Sequence, residues 1–182
     1  MMEPLQQACK VHLGAASSSF FANRDYPVFD YRWTTELSRL ATIDGRAARV
    51  CLHDPNSGNL QVMVIAQRPL NYWRPKRHRG SDKSVFIVSG QISYYEFDSD
   101  GEINKRINLD SSRCRVLLIR GSQFHTMIAG PQGSVHAEFI SGATRDLSSS
   151  TESLSGWPAQ DSPQSELFME RLHKFPANEN HP

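Results

Sequence analysis

Four positions carry the chemistry that this chain can offer. Lys76 and His78 stand two residues apart in Arg74-Pro75-Lys76-Arg77-His78, Lys83 follows, and His125 comes after Gly121. Alternate side chains of a β-strand share a face, so residues 76, 78 and 83 are expected to converge with residue 125 inside a small barrel. A site built to grip a metal ion there wants imidazole or carboxylate at every position. Two of the four are lysines. A protonated lysine repels a dication and donates hydrogen bonds instead of ligating, so the set favours an anionic group over a cation.

Parity extends the set. Arg74 is expected inward with Lys76 and His78, while Arg77 and Arg79 face solvent, where charge on a strand edge discourages aggregation. An inward ammonium is costly unless paired. Glu96, Glu102 and Glu138 are the candidate counterions, and a phosphate or carboxylate ligand is the alternative. Arg49, Cys51 and His53 share one strand face, and Tyr72, Tyr94 and Tyr95 are read as aromatic residues at the barrel mouth. The candidate ligand-binding residues are therefore Arg49, His53, Tyr72, Arg74, Lys76, Lys83 and Glu138. His78 and His125 are the candidate catalytic residues, because imidazole exchanges protons near neutral pH. The same two histidines, with Glu138 or His136 borrowed, are the candidate ligands of a weakly held divalent transition metal. For each residue taken singly, plain packing is the competing reading.

The elements that must position these side chains are mostly strands. From Arg46 to Ser141, short apolar runs alternate with turn signals: Ala48–Leu52, Leu60–Ala66, Val85–Val88, Ile92–Phe97, Ile103–Leu109, Arg115–Ile119, Thr126–Ala129 and Val135–Ile140. Between them lie clusters such as Asp54-Pro55-Asn56-Ser57-Gly58, Ser89-Gly90 and Gly130-Pro131-Gln132-Gly133, whose residues accept turn dihedrals. Short strands at regular spacing without helices between them mean an all-β sandwich, jelly roll or barrel. Trp33, Leu37, Leu40 and Ala41 repeat at helical period, with Gly45 as the stop. Ser162-Pro163 opens a second helix, with Leu167, Phe168, Leu172 and Phe175 along one side and Pro176 ending it. The expected layout is an irregular N-terminal arm over residues 1–30, a β-barrel domain over 31–145, and a linker, outer helix and frayed tail over 146–182.

Bulk properties exclude several classes. The 182 residues suffice for one domain with a core, and a formal net charge of +1 gives no global field for nucleic acid or membrane. Three cysteines (Cys9, Cys51 and Cys114) without CxxC spacing suit a reducing cytoplasm rather than a disulfide framework. No run approaches a membrane span, and no secretory leader pattern opens the chain. There is no GxSxG, P-loop or GxGxxG pattern.

The blocks Arg49–His53, Gln61–Ala66, Tyr72–His78 and Lys83–Gly90, followed by Phe97–Gly101, Phe124-His125-Thr126, Val135–Phe139 and Gly156-Trp157-Pro158, resemble a cupin. They are similar in particular to the WbuC-type cupin metalloproteins found with bacterial surface-polysaccharide genes. The resemblance covers about residues 46–160. It implies an antiparallel β-barrel or jelly roll with a short N-terminal helix and a C-terminal helix outside. It also implies a metal held by a His-x-His pair, a glutamate and a further histidine. Carried over, these fall on Lys76, His78, Lys83 and His125, so two match and two do not. Family members also tend to have histidine at the position of Phe86. The resemblance thus implies a degenerate cupin pocket that binds a small anionic ligand, such as a sugar nucleotide or carboxylated sugar. A metal-independent or weakly metal-dependent sugar-modifying enzyme, epimerase-like or isomerase-like, with His78 or His125 as general base, is the alternative, and a cytoplasmic homodimer is the expected assembly.

Overall fold

The computed structural model describes residues 5–13, 17–22, 28–54, 59–113, 115–142, 150–160 and 162–177. Its strands are β1 (Cys9–Leu13), β2 (Ser17–Ala22), β3 (Ala47–Cys51), β4 (Leu60–Gln67), β5 (Arg77–His78), β6 (Lys83–Phe97), β7 (Ile103–Asp110), β8 (Val116–Ile119), β9 (Phe124–Ser141) and β10 (Thr151–Glu152). The helices are α1 (Leu5–Ala8), α2 (Trp33–Ile43) and α3 (Gln164–Lys174). The main sheet runs β1-β2-β3-β4-β9-β6-β7, with β8 beside β6, and β10 pairs β5 in a separate ribbon.

Two pairs of expected strands fuse. Val85–Val88 and Ile92–Phe97 both belong to β6, and Thr126–Ala129 and Val135–Ile140 both belong to β9. The turn signals between them lie opposite each other in one ladder, with register shifts at Ile87/Ser89 and Gly90/Ile92. Gly90 has φ +75, and a Cβ placed there would meet the Gly133 carbonyl oxygen at 2.3 Å. These glycines therefore serve a bulge and a close backbone approach, not a chain reversal.

Alternation along the strands separates two faces. Inward lie Val85, Ile87, Ile92, Tyr94, Ile107, Leu109, Ile119 and Met127, joined through Trp73 to Ala47, Cys51, Met63, Ile65 and Ile140. Outward, Ala48, Val50, Val64, Ala66, Val135 and Ala137 pack under Trp33, Leu37 and Ala41 of α2. Each large apolar side chain so buried contributes about 1.5–3 kcal/mol. Gly45, at φ +65, ends α2 as the sequence predicts. At the other end, α3 lays Met169 and Leu172 against Tyr72, Phe97, Phe124 and Trp157.

Four expectations need correction. Residues 1–30 do not form an irregular arm: among those described, β1 and β2 extend the sheet, and β2 runs parallel to β3. Ser17, Ser18 and Ser19 are buried there, and the Ser18 hydroxyl donates to Asp44 at 2.7 Å. In α3, Leu167 is 70% exposed and Met169 takes the buried place. The stripe is offset because Ser165, Met169 and Leu172 follow the i, i+4, i+7 pattern. Arg77 and Arg79 do not simply decorate a solvated edge. Both hold Glu152 of β10, turning part of the expected linker into β-structure. Trp73–His78 is not one strand; only Arg77–His78 is paired, with Lys76 bridging separately to His125. Cys114, the turn signal expected at 55–58, residues 143–149 and the tail expected at 178–182 lie outside the described residues.

Candidate functional site

The β6–β9 ladder pairs Lys83 with Ile140 and Val85 with Glu138, so Lys83 and Glu138 are diagonal neighbours on the inward face. Their side chains meet: Lys83 Nζ donates to Glu138 Oε1 at 3.1 Å, with both residues about 95% removed from solvent. Two residues before Glu138 on β9, His136 is fully buried, with its Nε2 at 3.7 Å from Glu138 Oε1. That separation exceeds hydrogen-bond length, so the ring acts on the carboxylate through its field. Further along β9, His125 is opposed by Lys76. The two residues exchange both backbone hydrogen bonds at 3.0 Å, which sets their side chains next to each other. His78 follows Lys76 by two residues and is anchored by Thr151 of β10, whose hydroxyl lies 2.8 Å from its Nδ1.

Charge defines the site. Arg49 on β3, Lys76 and Lys83 bring three cations to bear, and the Glu138 carboxylate is what faces them. Burial alone would raise the Glu138 carboxyl. The Lys83 ammonium and the His136 ring outweigh burial and hold it well below the usual carboxylate range. Burial first, then the Lys83 charge, lowers the Lys76 ammonium against the pull of Glu138. Burial followed by Lys76 and Lys83 brings His78 down to about 4. The same forces, with Lys83 ahead of Lys76, put His125 well below its ordinary value. Both imidazoles are therefore neutral at pH 7. His125 Nδ1 faces the Gln123 carbonyl oxygen at 3.0 Å. A carbonyl only accepts, so Nδ1 carries the proton and Nε2, buried and without a partner, presents a lone pair. Lys76 Nζ, on a partly exposed side chain, has no hydrogen bond or ion pair among the described residues, whereas Lys83 is fully engaged.

The structure thus brings together Arg49, Lys76, His78, Lys83, His125 and Glu138. Three other candidates lie elsewhere. His53 sits at the end of β3, its Nδ1 against the backbone of Val62 and its ring edge-on to Phe21. Tyr72 donates to the Pro158 carbonyl and packs on Phe168 of α3, and burial raises its hydroxyl to about 12. Arg74 donates to the Leu154 carbonyl instead of turning inward with Lys76, because Trp73–Pro75 is not strand and parity fails there.

The tyrosines form no common mouth. Tyr94 stacks on His125 and donates to Glu96, while Tyr95 lies on the outer face beneath Arg106. Of the proposed counterions, only Glu138 serves. Glu96 accepts from Tyr94 and Gln123, and Glu102 pairs with Arg171 at the surface. A cleft of about 890 Å³ lies between β7, β9 and the end of α3, and none of the clustered residues lines it. Thr151 was not legible as a site residue, because it falls in a polar stretch that reads as linker.

Residues 31–109 match the family described as a domain of unknown function (DUF6016). No curated protein matches the chain. Among solved structures, a protein with a double-stranded β-helix domain from Klebsiella pneumoniae is 15% identical, with a TM-score of 0.50, covering 68% of this chain and 90% of that one. The chain has the cupin fold. Oxalate decarboxylase from B. subtilis is 16% identical (TM-score 0.48, 74% of this chain and 36% of that one). The capsular polysaccharide assembling protein CapF from Staphylococcus aureus is 17% identical (TM-score 0.45, 52% and 28%). The chain spans only 22%, 28% and 21% of the coconut cocosin, CapF and Wrightia tinctoria 11S globulin chains that it matches. No helix among the described residues is long and apolar enough to cross a membrane.

The metal implied by the resemblance does not fit the donors present. Ammonium groups stand at two of the four positions, and the nearby carboxylate is already bound to one of them. Among the described residues, no three or more His, Cys, Asp or Glu side chains are grouped to hold an ion. His78 and His125 alone fall short of the three or four protein ligands that transition-metal sites use. Chemically the cluster can bind an anion, accept a hydrogen bond at His125 Nε2, and present one free amine.

Proposed function

We propose that the chain is a WbuC-like binding cupin whose interior receives a small anionic ligand, with a sugar nucleotide or carboxylated sugar of surface-polysaccharide biosynthesis as the ligand class. The observation that carries this reading is Lys76: an ammonium without a partner among the described residues, on the inward side of the sheet where Lys83 and Arg49 add positive charge and Glu138 is already engaged by Lys83. A half-buried cation among like charges gains more from an incoming carboxylate or phosphate than one in open water does. The ligand's hydroxyl has a waiting acceptor in His125 Nε2. The test is a thermal-shift screen with sugar nucleotides, uronic acids and inorganic phosphate, run on the native chain and on Lys76→Ala. A ligand bound only by the folded state at a hundred times its Kd adds about 2.7 kcal/mol. A rise in Tm that disappears in Lys76→Ala supports the proposal, and no rise with any anion overturns it.

A second reading follows from His125. Its free lone pair, beside an ammonium able to stabilise a developing oxyanion, suits proton abstraction in an epimerase-like or isomerase-like reaction, with His78 as the other candidate base. In that case His125→Ala abolishes turnover of the sugar while circular dichroism and Tm stay those of the native chain.

The homodimer belongs to the same proposal. Phe86, Val116, Leu118 and Phe139 are exposed and share one outer face across β8, β6 and β9, which is the surface that such a dimer would bury. Light scattering at micromolar concentration distinguishes it from a monomer.

A further inference from the structure

We propose that Lys76 is a covalent attachment point: its amine forms an imine with the carbonyl group of an anionic aldehyde or 2-oxo acid held in the barrel. This inference rests on the anion-binding reading above and names the ligand class more narrowly. Three features of the geometry support it.

The first is the difference between the two lysines. Lys83 is buried and bound to Glu138 at 3.1 Å, so its ammonium is held in place as a fixed charge. Lys76 is partly exposed, and no polar partner among the described residues restrains its amine. The second is crowding. Arg49 and Lys83 lie on the same inward face, and Glu138, the carboxylate between the strands there, is already bound to Lys83. A lysine placed next to another cationic group is a known way to make the amine a nucleophile. The third is the neighbour across the strands. Lys76 and His125 oppose each other directly, and His125 offers its Nε2 lone pair because Nδ1–H is taken by the Gln123 carbonyl.

The step balances without an oxidant or reductant. The Nζ lone pair adds to the carbonyl carbon, and the C=O π electrons move to oxygen. The nitrogen sheds one proton to His125 Nε2, which passes it to that oxygen, giving a neutral carbinolamine. The remaining N–H proton travels the same way to the hydroxyl, which leaves as water while the C=N bond forms. The net change is amine plus carbonyl giving imine plus water. The ligand's carboxylate or phosphate lies in the positive field of Lys83 and Arg49, which explains why the carbonyl compound should be anionic.

The experiment is reductive trapping of the full chain with pyruvate and sodium cyanoborohydride at pH 7, followed by intact mass and peptide mapping. The expected result is a single adduct at Lys76, formed roughly tenfold faster than at the exposed Lys10 and Lys174, a factor equivalent to one decade in rate constant. Lys76→Arg, which keeps the charge, and Lys76→Met should both lose the adduct. Label spread evenly over surface lysines overturns the inference. A phosphate-dependent Tm rise without an adduct at Lys76 also overturns it, while leaving the anion-binding reading intact. An adduct at Lys76 without any phosphate effect upholds the imine and removes the broader reading. The absence of both removes both.

Discussion

Lys83 and Glu138 are joined at 3.1 Å inside the barrel, diagonal to one another across β6 and β9. The pair explains how an inward lysine is tolerated, and it sets up a clear asymmetry. Removing one member strands the other as a buried, unpaired charge, which costs on the order of 3–5 kcal/mol. Lys83→Met and Glu138→Gln should each lower stability in urea unfolding. The double variant Lys83→Met/Glu138→Leu should recover most of the loss, because two apolar residues replace the pair together. If the single and double variants are equally unstable, the pair is not the coupling unit.

Lys76 should behave in the opposite way. It has no partner, and it faces the like charges of Lys83 and Arg49. In ligand-free protein, Lys76→Met relieves that repulsion and should leave stability unchanged or raise it, with a gain on the order of 0.5–2 kcal/mol typical of a relaxed functional site. The same substitution should remove anion-dependent stabilisation. A loss of stability comparable to that of Lys83→Met would show that Lys76 serves the fold and not a ligand.

Acid should destabilise the protein in a window set by its histidines. His78 titrates at about 4 in the folded chain and at its ordinary 6.5 when unfolded, and His125 is shifted in the same direction. Between these values the unfolded chain binds protons that the folded chain refuses. Stability is therefore full above pH 6.5 and falls as pH drops toward 4. Glu138 adds a separate loss at lower pH. Its folded carboxyl lies below the unfolded value of 4.5, so its contribution is present above that value and disappears as pH falls through the folded one. Tm measured from pH 8 to 4 should decline below about 6.5, as the linkage relation requires. His78→Asn should flatten part of that decline. A flat profile to pH 5 would mean that these imidazoles are not neutral and buried in the native state.

The sequence carried more of the site than of its surroundings, for a physical reason. Strand parity is local, so it placed Lys83, Glu138 and His125 inward wherever the strand is regular. It failed at Arg74, where Trp73–Pro75 is irregular and the guanidinium turns to Leu154. Residues 9–22 were opaque because serines, which ordinarily mark loops, line a parallel pairing with β3 and are satisfied by Asp44 and Arg49. Thr151 was opaque for the complementary reason. Its role depends on a contact with His78, 73 residues away, which no local pattern records.

Gly121 offers a test of how the site is framed. A Cβ there would meet the His78 carbonyl oxygen at 2.5 Å and the Ser81 nitrogen at 2.7 Å, both backbone atoms. Gly121→Ala should therefore push β5 away from its place and cost about 1–3 kcal/mol, in line with other overpacked sites. Because His78 moves with β5, the His78 portion of the acid transition should shift as well, and Gly156→Ala, with open space around its Cβ and no positive φ, should leave it in place. An unchanged transition in Gly121→Ala would mean that His78 is not positioned by this contact.

Metal binding gives the most direct test of the cation exchange inside the barrel. His78, His125 and Glu138 are present, and the ammonium groups of Lys76 and Lys83 stand where two more donors would be needed. In Lys76→His/Lys83→Glu, two repelling charges become two ligands. A set of five imidazole and carboxylate donors then covers the three or four that a zinc or nickel site requires. Isothermal titration with zinc should show one tight site in that double variant and only weak association in the native chain. Elemental analysis of the native protein should find metal well below one equivalent. Stoichiometric metal copurifying with the native chain would mean that the lysines do not occupy the cation's place, and the anion-binding proposal would fall with it.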